Sequence, residues 1–261
     1  MNSARALIGR LFRGRGVIVA DGVRFRERSP DPLHRSLGPR GPGFKEYDVE
    51  FPLAPAMRIR CTPERLYMDI LGPELLSPYR AAEPLASPGM RILVLGCGTG
   101  YGADWLASRV GPSGAIVALT SDTESVRFAK RRYPRSNTAF ELGGADSLSG
   151  EIEGSFDGAF VAASTQGGAP EGLDEVWRVL RPGGWLLATG VSPRPDSREA
   201  DRTRLPADLA RLLAALAPTP AMEPVESVGA ALARRPPPPP THPKPPDATG
   251  PPRSPDGMQR P

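Results

Sequence analysis

Lysine, cysteine and histidine are scarce in this 261-residue chain, and each scarcity excludes something. Only three lysines accompany the many arginines, and the net charge of +4 gives no specific nucleic-acid signal. The two cysteines, Cys61 and Cys97, exclude a disulfide framework and a cysteine zinc site, and they favour a reducing, cytoplasmic setting. No apolar run approaches the roughly 20 residues that a membrane-spanning helix needs, so no transmembrane segment is predicted.

Proline, by contrast, is abundant and unevenly placed. Residues 236–261 contain 12 prolines, cannot bury a core and are predicted to form a disordered, partly polyproline II tail. Residues 1–43 are predicted to be a basic arm and linker, with a hairpin at Val17–Phe25 that turns at Asp21-Gly22. The basic start of the arm fits a frayed terminus, a transit peptide or a surface-binding segment.

Strand and helix signals alternate between residues 90 and 190. Strands are expected at 91–95, 114–119, 138–142, 156–162 and 184–189, and helices at 102–110, 122–132 and 170–180. This alternation predicts an α/β domain with a doubly wound, mostly parallel sheet and helices on both faces. Further helices are expected at 62–71 and 206–217, and a closing strand pair at 222–226 and 229–234.

Four blocks follow one another in fixed order within this α/β region. Their ranges are Val94–Gly100, with glycines at 96, 98 and 100, then Val110–Thr120, Ser155–Val161 and Glu175–Leu187. Together they closely resemble the class I S-adenosylmethionine-dependent methyltransferases, whose domain would be Rossmann-like and cover residues 91–235. The last block, a helix that ends in Leu180-Arg-Pro-Gly-Gly184 before a strand, is the most discriminating. A weaker similarity links Gly100-Tyr101 and Val110-Gly-Pro-Ser-Gly to the protein isoaspartate carboxyl methyltransferases.

The resemblance implies S-adenosylmethionine as the cofactor and no metal. The glycine turn would pass under the methionine part of the cofactor, where a side chain would collide with it. The second strand would end at the ribose, the loop after the third strand would flank the adenine, and residues 162–166 would face the transferred methyl group. The implied cofactor-binding residues are Gly96, Cys97, Gly98, Thr99, Gly100, Thr120, Ser121, Asp122, Ala145, Asp146 and Ala162.

Three positions that usually carry an acid in this family carry none here. They are Val94 before the first glycine, Thr120 at the end of the second strand and Gly144 after the third strand. Asp122 and Asp146 are the alternative acids, with Asp122 in reach of the ribose and Asp146 after a small loop shift. A catalytically degenerate, methyltransferase-like binding module is therefore the alternative to an active enzyme.

No catalytic residue is assigned, because methyl transfer chiefly requires alignment and the exclusion of water. His34 and His242 lie outside the core domain, so neither is a good general base. The acceptor is expected to be a small molecule or a protein, and the oligomeric state is open. Residues 44–90 are the expected cap and substrate region, with lining candidates at Tyr47, Phe51, Arg58, Arg60, Tyr67 and Tyr79. A nicotinamide oxidoreductase is disfavoured, because it has no use for Leu180-Arg-Pro-Gly-Gly184.

Overall fold

The computed structural model describes residues 16–28, 45–61, 66, 69–70, 78–163, 172–190, 222–225 and 230–237. These residues form a four-stranded antiparallel sheet and a seven-stranded sheet with helices on both faces. The basic start of the predicted arm, the linker, the predicted helix 206–217 and the tail from residue 238 lie outside the described residues.

The small sheet contains β1 (Val17–Ala20), β2 (Val23–Glu27), β3 (Lys45–Glu50) and β4 (Met57–Cys61), in that order. The predicted hairpin is confirmed: Asp21 and Gly22 have φ of 48° and 78°, as a two-residue hairpin turn requires. Because β2 also pairs with β3, the sheet crosses the boundary predicted between residues 43 and 44. In their described parts, the predicted arm and cap regions are therefore one structural unit, since a lone hairpin leaves both its edges without partners.

The large sheet contains seven strands in the order β10-β11-β9-β8-β5-β6-β7. Strands β5 to β9 are parallel, whereas β11 is antiparallel to both β9 and β10. The predicted doubly wound sheet and its closing strand pair are confirmed. Its elements are β5 (Arg91–Leu95), α1 (Tyr101–Val110), β6 (Ala115–Thr120), α2 (Thr123–Arg132), β7 (Thr138–Leu142), β8 (Phe156–Ala163), α3 (Leu173–Val179), β9 (Leu180–Gly190), β10 (Met222–Val225) and β11 (Ala230–Arg234).

Alternate residues of the inner strand β5 face the two layers of helices. Ile92 and Val94 pack in an apolar cluster with α1, α2 and the small sheet. Leu93 and Leu95 pack in a second cluster with α3 and the 3-10 helix Ala145–Gly150. Both faces of this strand are therefore buried, which explains its uninterrupted aliphatic sequence.

The segment Arg181-Pro-Gly-Gly184 departs from the prediction of a turn between helix and strand. Strand β9 begins at Leu180, directly after α3, and pairs there with Phe156 of β8. The next pair is Gly158 with Trp185, so the segment bulges out of the sheet. Its backbone bonds instead to the end of β11, where the Gly183 N–H donates to the Arg235 carbonyl at 2.7 Å. The glycines and the proline thus place a bulge inside the strand.

The small sheet packs against helix α2 of the large domain. Phe25 and Phe51 lie on the ring of Phe128, with centroids 6.3 and 5.9 Å from it. The backbone N–H of Arg60 donates to the Glu124 carboxylate at 3.1 Å. Among the described residues, no helix is long and apolar enough to cross a bilayer.

Candidate functional site

The strands β5, β6 and β8 end side by side at one edge of the large sheet, as the sequence predicts. Gly96 follows β5, and its N–H and that of Cys97 both donate to the Leu119 carbonyl, at 2.9 and 3.0 Å. On the other side, a Cβ built on Gly96 would lie 2.8 Å from the Ala162 carbonyl oxygen of β8. The glycine turn is therefore clamped between the ends of β6 and β8 at the centre of this edge, the usual ligand position in doubly wound sheets.

The glycines of the turn are required first by the protein's own packing. Gly96, Gly98 and Gly100 have φ of 78°, 57° and 95°, which L residues rarely adopt. A Cβ on Gly100 would lie 2.7 Å from the Cβ of Ala129 and 2.9 Å from the Phe140 ring. A side chain at position 96 would therefore collide with β8, and one at position 100 with α2 and β7, even when no cofactor is bound.

Backbone donors are left open where the turn enters α1. The helix has Gly100 as its N-cap, and within the described part of the chain no side chain forms a cap hydrogen bond at this end. The N–H groups of Gly98 and Thr99 have no backbone acceptor among the described residues. Open amides at a helix N-terminus attract a carboxylate or phosphate, and the methionine part of S-adenosylmethionine carries a carboxylate. The glycine turn therefore fits the implied cofactor, and the absence of a capping Ser, Thr, Asn or Asp at position 100 is the sequence signal for it.

The end of β6 offers a hydroxyl and a carboxylate that already has partners. Thr120 is buried, and its carbonyl accepts from the Gly143 N–H at 3.0 Å. Asp122 is the N-cap of α2: its carboxylate accepts from the backbone N–H and the hydroxyl of Ser125, at 3.2 and 2.5 Å. Ser121 is exposed between them. Capping holds Asp122 towards α2, so its predicted contact with the ribose would have to use the remaining capacity of the carboxylate.

Of the two predicted cofactor-binding residues in the loop after β7, one is buried and the other is exposed. Ala145 is buried in the α3-side cluster and can meet a ligand only through its backbone. Asp146 is exposed in the first turn of the 3-10 helix. Beyond Ala162 on β8, residues 164–166 lie outside the described residues, so the expected methyl-facing segment is described only at its start.

The described side chains of the predicted cap residues pack in the protein core or form ion pairs. Tyr47 is fully buried, and the Tyr79 ring stacks on Phe160 with centroids 4.1 Å apart. Arg58 lies 3.7 Å from the Asp48 carboxylate, and Arg60 lies 2.8 Å from that of Glu46. The side chain of Tyr67 lies outside the described residues. These contacts give each described side chain a structural role within the small sheet or beneath α1.

A polar cavity of about 440 Å³ lies beside this site and includes none of the predicted cofactor-binding residues. Tyr101 and Asp104 of α1 line it, together with Tyr133 after α2 and Asp69. The Tyr133 hydroxyl donates to the Asp69 carboxylate at 2.5 Å. Burial, with the nearby carboxylates of Asp104 and Asp69, raises the pKa of Tyr101 to about 12. Burial and Asp69 raise the pKa of Tyr133 well above its usual value. Both phenols are therefore neutral hydrogen-bond donors at neutral pH, not bases.

Comparison with known proteins agrees with this geometry. Residues 92–184 match a family described as "Methyltransferase domain". That range contains the glycine turn, the ends of β6 and β8, and the bulge in β9. Residues 92–184 form a methyltransferase domain. The predictions of the family, of the Rossmann-like fold and of S-adenosylmethionine as its cofactor are confirmed.

Three curated methyltransferases are similar in sequence to this chain over part of their length. The fatty-acid O-methyltransferase of Mycolicibacterium smegmatis is 34% identical over 126 residues, 48% of this chain and 45% of the relative. The phthiotriol/phenolphthiotriol dimycocerosates methyltransferase 1 of Mycobacterium ulcerans is 29% identical over 155 residues, 59% and 54% of the two chains. The protein-L-isoaspartate O-methyltransferase of Methanothrix thermoacetophila is 35% identical over 102 residues, 38% and 46%. This chain thus spans about half the length of the curated relatives it matches.

Proposed function

We propose that the chain transfers a methyl group from S-adenosylmethionine to the carboxylate of a small, largely apolar molecule. The observation that carries the proposal is the glycine turn, which is clamped between β6 and β8 and presents open amides at the start of α1. The fatty-acid O-methyltransferase among the relatives supports an apolar carboxylate as the acceptor. The protein-L-isoaspartate O-methyltransferase supports a carboxylate on a protein as the second candidate acceptor.

The reaction makes few chemical demands on the protein. The cofactor supplies a methyl group on a positively charged sulfur. When bound, it would give this methyl to an acceptor oxygen and keep the electrons of the broken sulfur–carbon bond as a neutral thioether, so the residues of the chain need only hold the cofactor and align the acceptor. A carboxylate with a pKa near 4 has no proton to lose at neutral pH, so it needs no general base.

The residues of this chain would therefore act by placement. The carboxylate of the cofactor's methionine part would be held by the amides of Gly98 and Thr99 and by the first turn of α1. Thr120 would contact the ribose of the cofactor. Gly96 and Ala162 would form the floor between the two strand ends. Alignment of an acceptor within near-attack distance is the largest contribution that such a site can make.

The test combines cofactor binding with transfer to defined acceptors. Isothermal titration of the purified chain with S-adenosylmethionine should give saturable binding, and labelled methyl should appear in a base-labile ester of a long-chain fatty acid. A peptide with an isoaspartyl residue, offered in parallel, tests the protein carboxylate. Absence of cofactor binding would overturn the proposal, and transfer to the peptide alone would replace the small molecule with a protein.

A degenerate binding module is the second candidate, and two observations favour it. None of the three usual acidic positions carries an acid, and Asp122 is engaged as a helix cap. Saturable cofactor binding without transfer to any oxygen, nitrogen or carbon acceptor would favour this candidate. Measured turnover on any acceptor would exclude it.

A further inference from the structure

The outward face of helix α2 carries three cations. Arg127 and Lys130 are exposed, and Arg131 is partly exposed. Their spacing of three and four residues puts them on one side of the helix, opposite the face that packs on the two sheets through Phe128 and Ala129. The helix lies between β4 of the small sheet and β7 at the edge of the large one.

Among the described residues, these three cations form no ion pairs. Within the described part of the chain, none of them has a hydrogen-bond or ion-pair partner, whereas most other described arginines do. The next cation along the helix, Arg132, binds Asp21 at 2.6 Å, and Arg135 binds Asp104. These two arginines are paired with acids, whereas the charges of Arg127, Lys130 and Arg131 face solvent without a partner among the described residues.

Few acids lie close to this set. Glu124, on the same helix, accepts the backbone N–H of Arg60. Glu141 of β7 is exposed and lines a shallow groove together with Lys130. Asp122 is the helix cap, and its carboxylate is directed at Ser125. Asp122 and Glu124 lie at the start of the helix, so its positive charge is concentrated in the second half.

Aliphatic side chains are exposed on the elements at either side of the helix. Leu142, at the end of β7, is 56% exposed. Leu53, in the loop from β3 to β4, is 100% exposed, and Phe51 of the same loop packs on Phe128 of the helix. No aromatic side chain among the described residues belongs to the largely exposed class.

We propose that this surface, made of Arg127, Lys130 and Arg131 with Leu53 and Leu142 at its margins, docks the protein on an anionic lipid bilayer. Cations near an anionic membrane surface are attracted by its potential, and exposed aliphatic side chains insert at the boundary of headgroups and acyl chains. A nucleic acid is the weaker match, because single strands and loops are usually held by stacking on exposed aromatic side chains. The docking is independent of methyl transfer and would place the enzyme where apolar acceptors are concentrated.

The experiment is a vesicle flotation assay on the full chain without cofactor. The probes are vesicles of phosphatidylcholine alone and of phosphatidylcholine mixed with phosphatidylglycerol. Wild type should float with the mixed vesicles, and added NaCl should weaken the binding because the attraction is screened. The triple variant Arg127→Glu, Lys130→Glu, Arg131→Glu should bind at least about tenfold more weakly, since each cation contributes separately to the attraction.

The matched control makes the same charge change elsewhere. Arg26, Arg80 and Arg234 are also exposed and have no ion-pair partner among the described residues, so their triple Glu variant has the same net charge. It should bind within about twofold of wild type, since the attraction decays over about one Debye length. A triple Gln variant at 127, 130 and 131 replaces the Glu variant if reversal at the end of α2 impairs folding.

Three outcomes would overturn the proposal. The first is equal loss in the α2 variant and the control, which would mean that only net charge acts. The second is equal binding of wild type to neutral and anionic vesicles. The third is failure of wild type to float while it binds an oligonucleotide in a gel-shift assay, which would assign the surface to nucleic acid. If the wild-type chain floats with anionic vesicles but transfers no methyl group, the result contradicts the proposed function and still supports the docking surface.

Discussion

The hydroxyl of Tyr133, at the end of α2, donates to the buried carboxylate of Asp69 across 64 residues of sequence. Arg132, next to Tyr133, donates to the backbone carbonyl of Asp69 at 3.2 Å and binds Asp21 of the hairpin turn at 2.6 Å. Residues that precede the large sheet are thus bonded to the end of one helix by three polar contacts, of which the Tyr133–Asp69 bond is buried. Such bonds are strong when made and costly when one partner is removed.

Tyr133→Phe should therefore destabilise the protein by about 1.5–3 kcal/mol, the range for a hydrogen bond to a charged group. The substitution keeps the ring and removes one of the partners of Asp69. The free energy of unfolding in urea measures the effect. Tyr101→Phe, at a less buried phenol with its ring 6.3 Å from that of Tyr133, is the control and should change stability much less. Equal effects of the two variants would refute the assignment.

Stability should fall above pH 10 because two phenols are harder to ionise in the folded protein than in the unfolded chain. The pKa of Tyr101 is raised from 10.0 to about 12, chiefly by burial, and that of Tyr133 is raised as well. A raised pKa gives stability that is complete below the unfolded value and is lost as the pH rises towards the folded value. For Tyr101 the loss spans pH 10.0 to about 12. Urea unfolding over this range should show a shallower decline for the double Phe variant than for wild type.

Gly100→Ala should be strongly destabilising even without cofactor. The φ of 95° and the approach of a built Cβ to Ala129 and Phe140 combine backbone strain with overpacking. Together these effects predict a loss of about 2–4 kcal/mol. Gly111→Ala is the matched control, because Gly111 also has a positive φ, 68°, but no atom within 4 Å of a built Cβ. If Gly100→Ala proved no worse than Gly111→Ala, the packing account of the glycine turn would be wrong.

Thr120→Asp should tighten the binding of S-adenosylmethionine. A carboxylate at the end of β6 would accept hydrogen bonds from the ribose hydroxyls, and charge-assisted bonds of about 1.5–3 kcal/mol correspond to at least about tenfold in affinity. Thr123→Asp adds the same charge three residues later, at an exposed position in the first turn of α2, and should have little effect. Isothermal titration compares the two variants with wild type. Unchanged or weaker binding by Thr120→Asp would show that Thr120 does not face the ribose.

The sequence was sufficient for most of the large sheet, the start of β9 excepted, and insufficient for what packs around it. Apolar runs and glycines predicted β5, β6 and β8 to within one residue, because both faces of these strands are buried and leave a continuous hydrophobic signal. The pairing of β2 with β3 spans a long linker, and nothing local to either strand specifies it. Asp122 could have been predicted as a helix cap, since Asp is a preferred N-cap residue and stands directly before the helix. The Tyr133–Asp69 bond joins segments 64 residues apart, and only the fold brings them together.

The contact between Tyr79 and Gly102 restricts which residues can occupy these two positions during evolution. A Cβ on Gly102 would overlap the Tyr79 ring, which is itself stacked on Phe160. A larger residue at 102 is therefore compatible with this packing only if the ring at 79 is lost or moved. Across homologues that share this architecture, positions 79 and 102 should change together. A glycine at 102 should accompany a large aromatic residue at 79. Where the residue at 79 is smaller, position 102 should also accept alanine or serine.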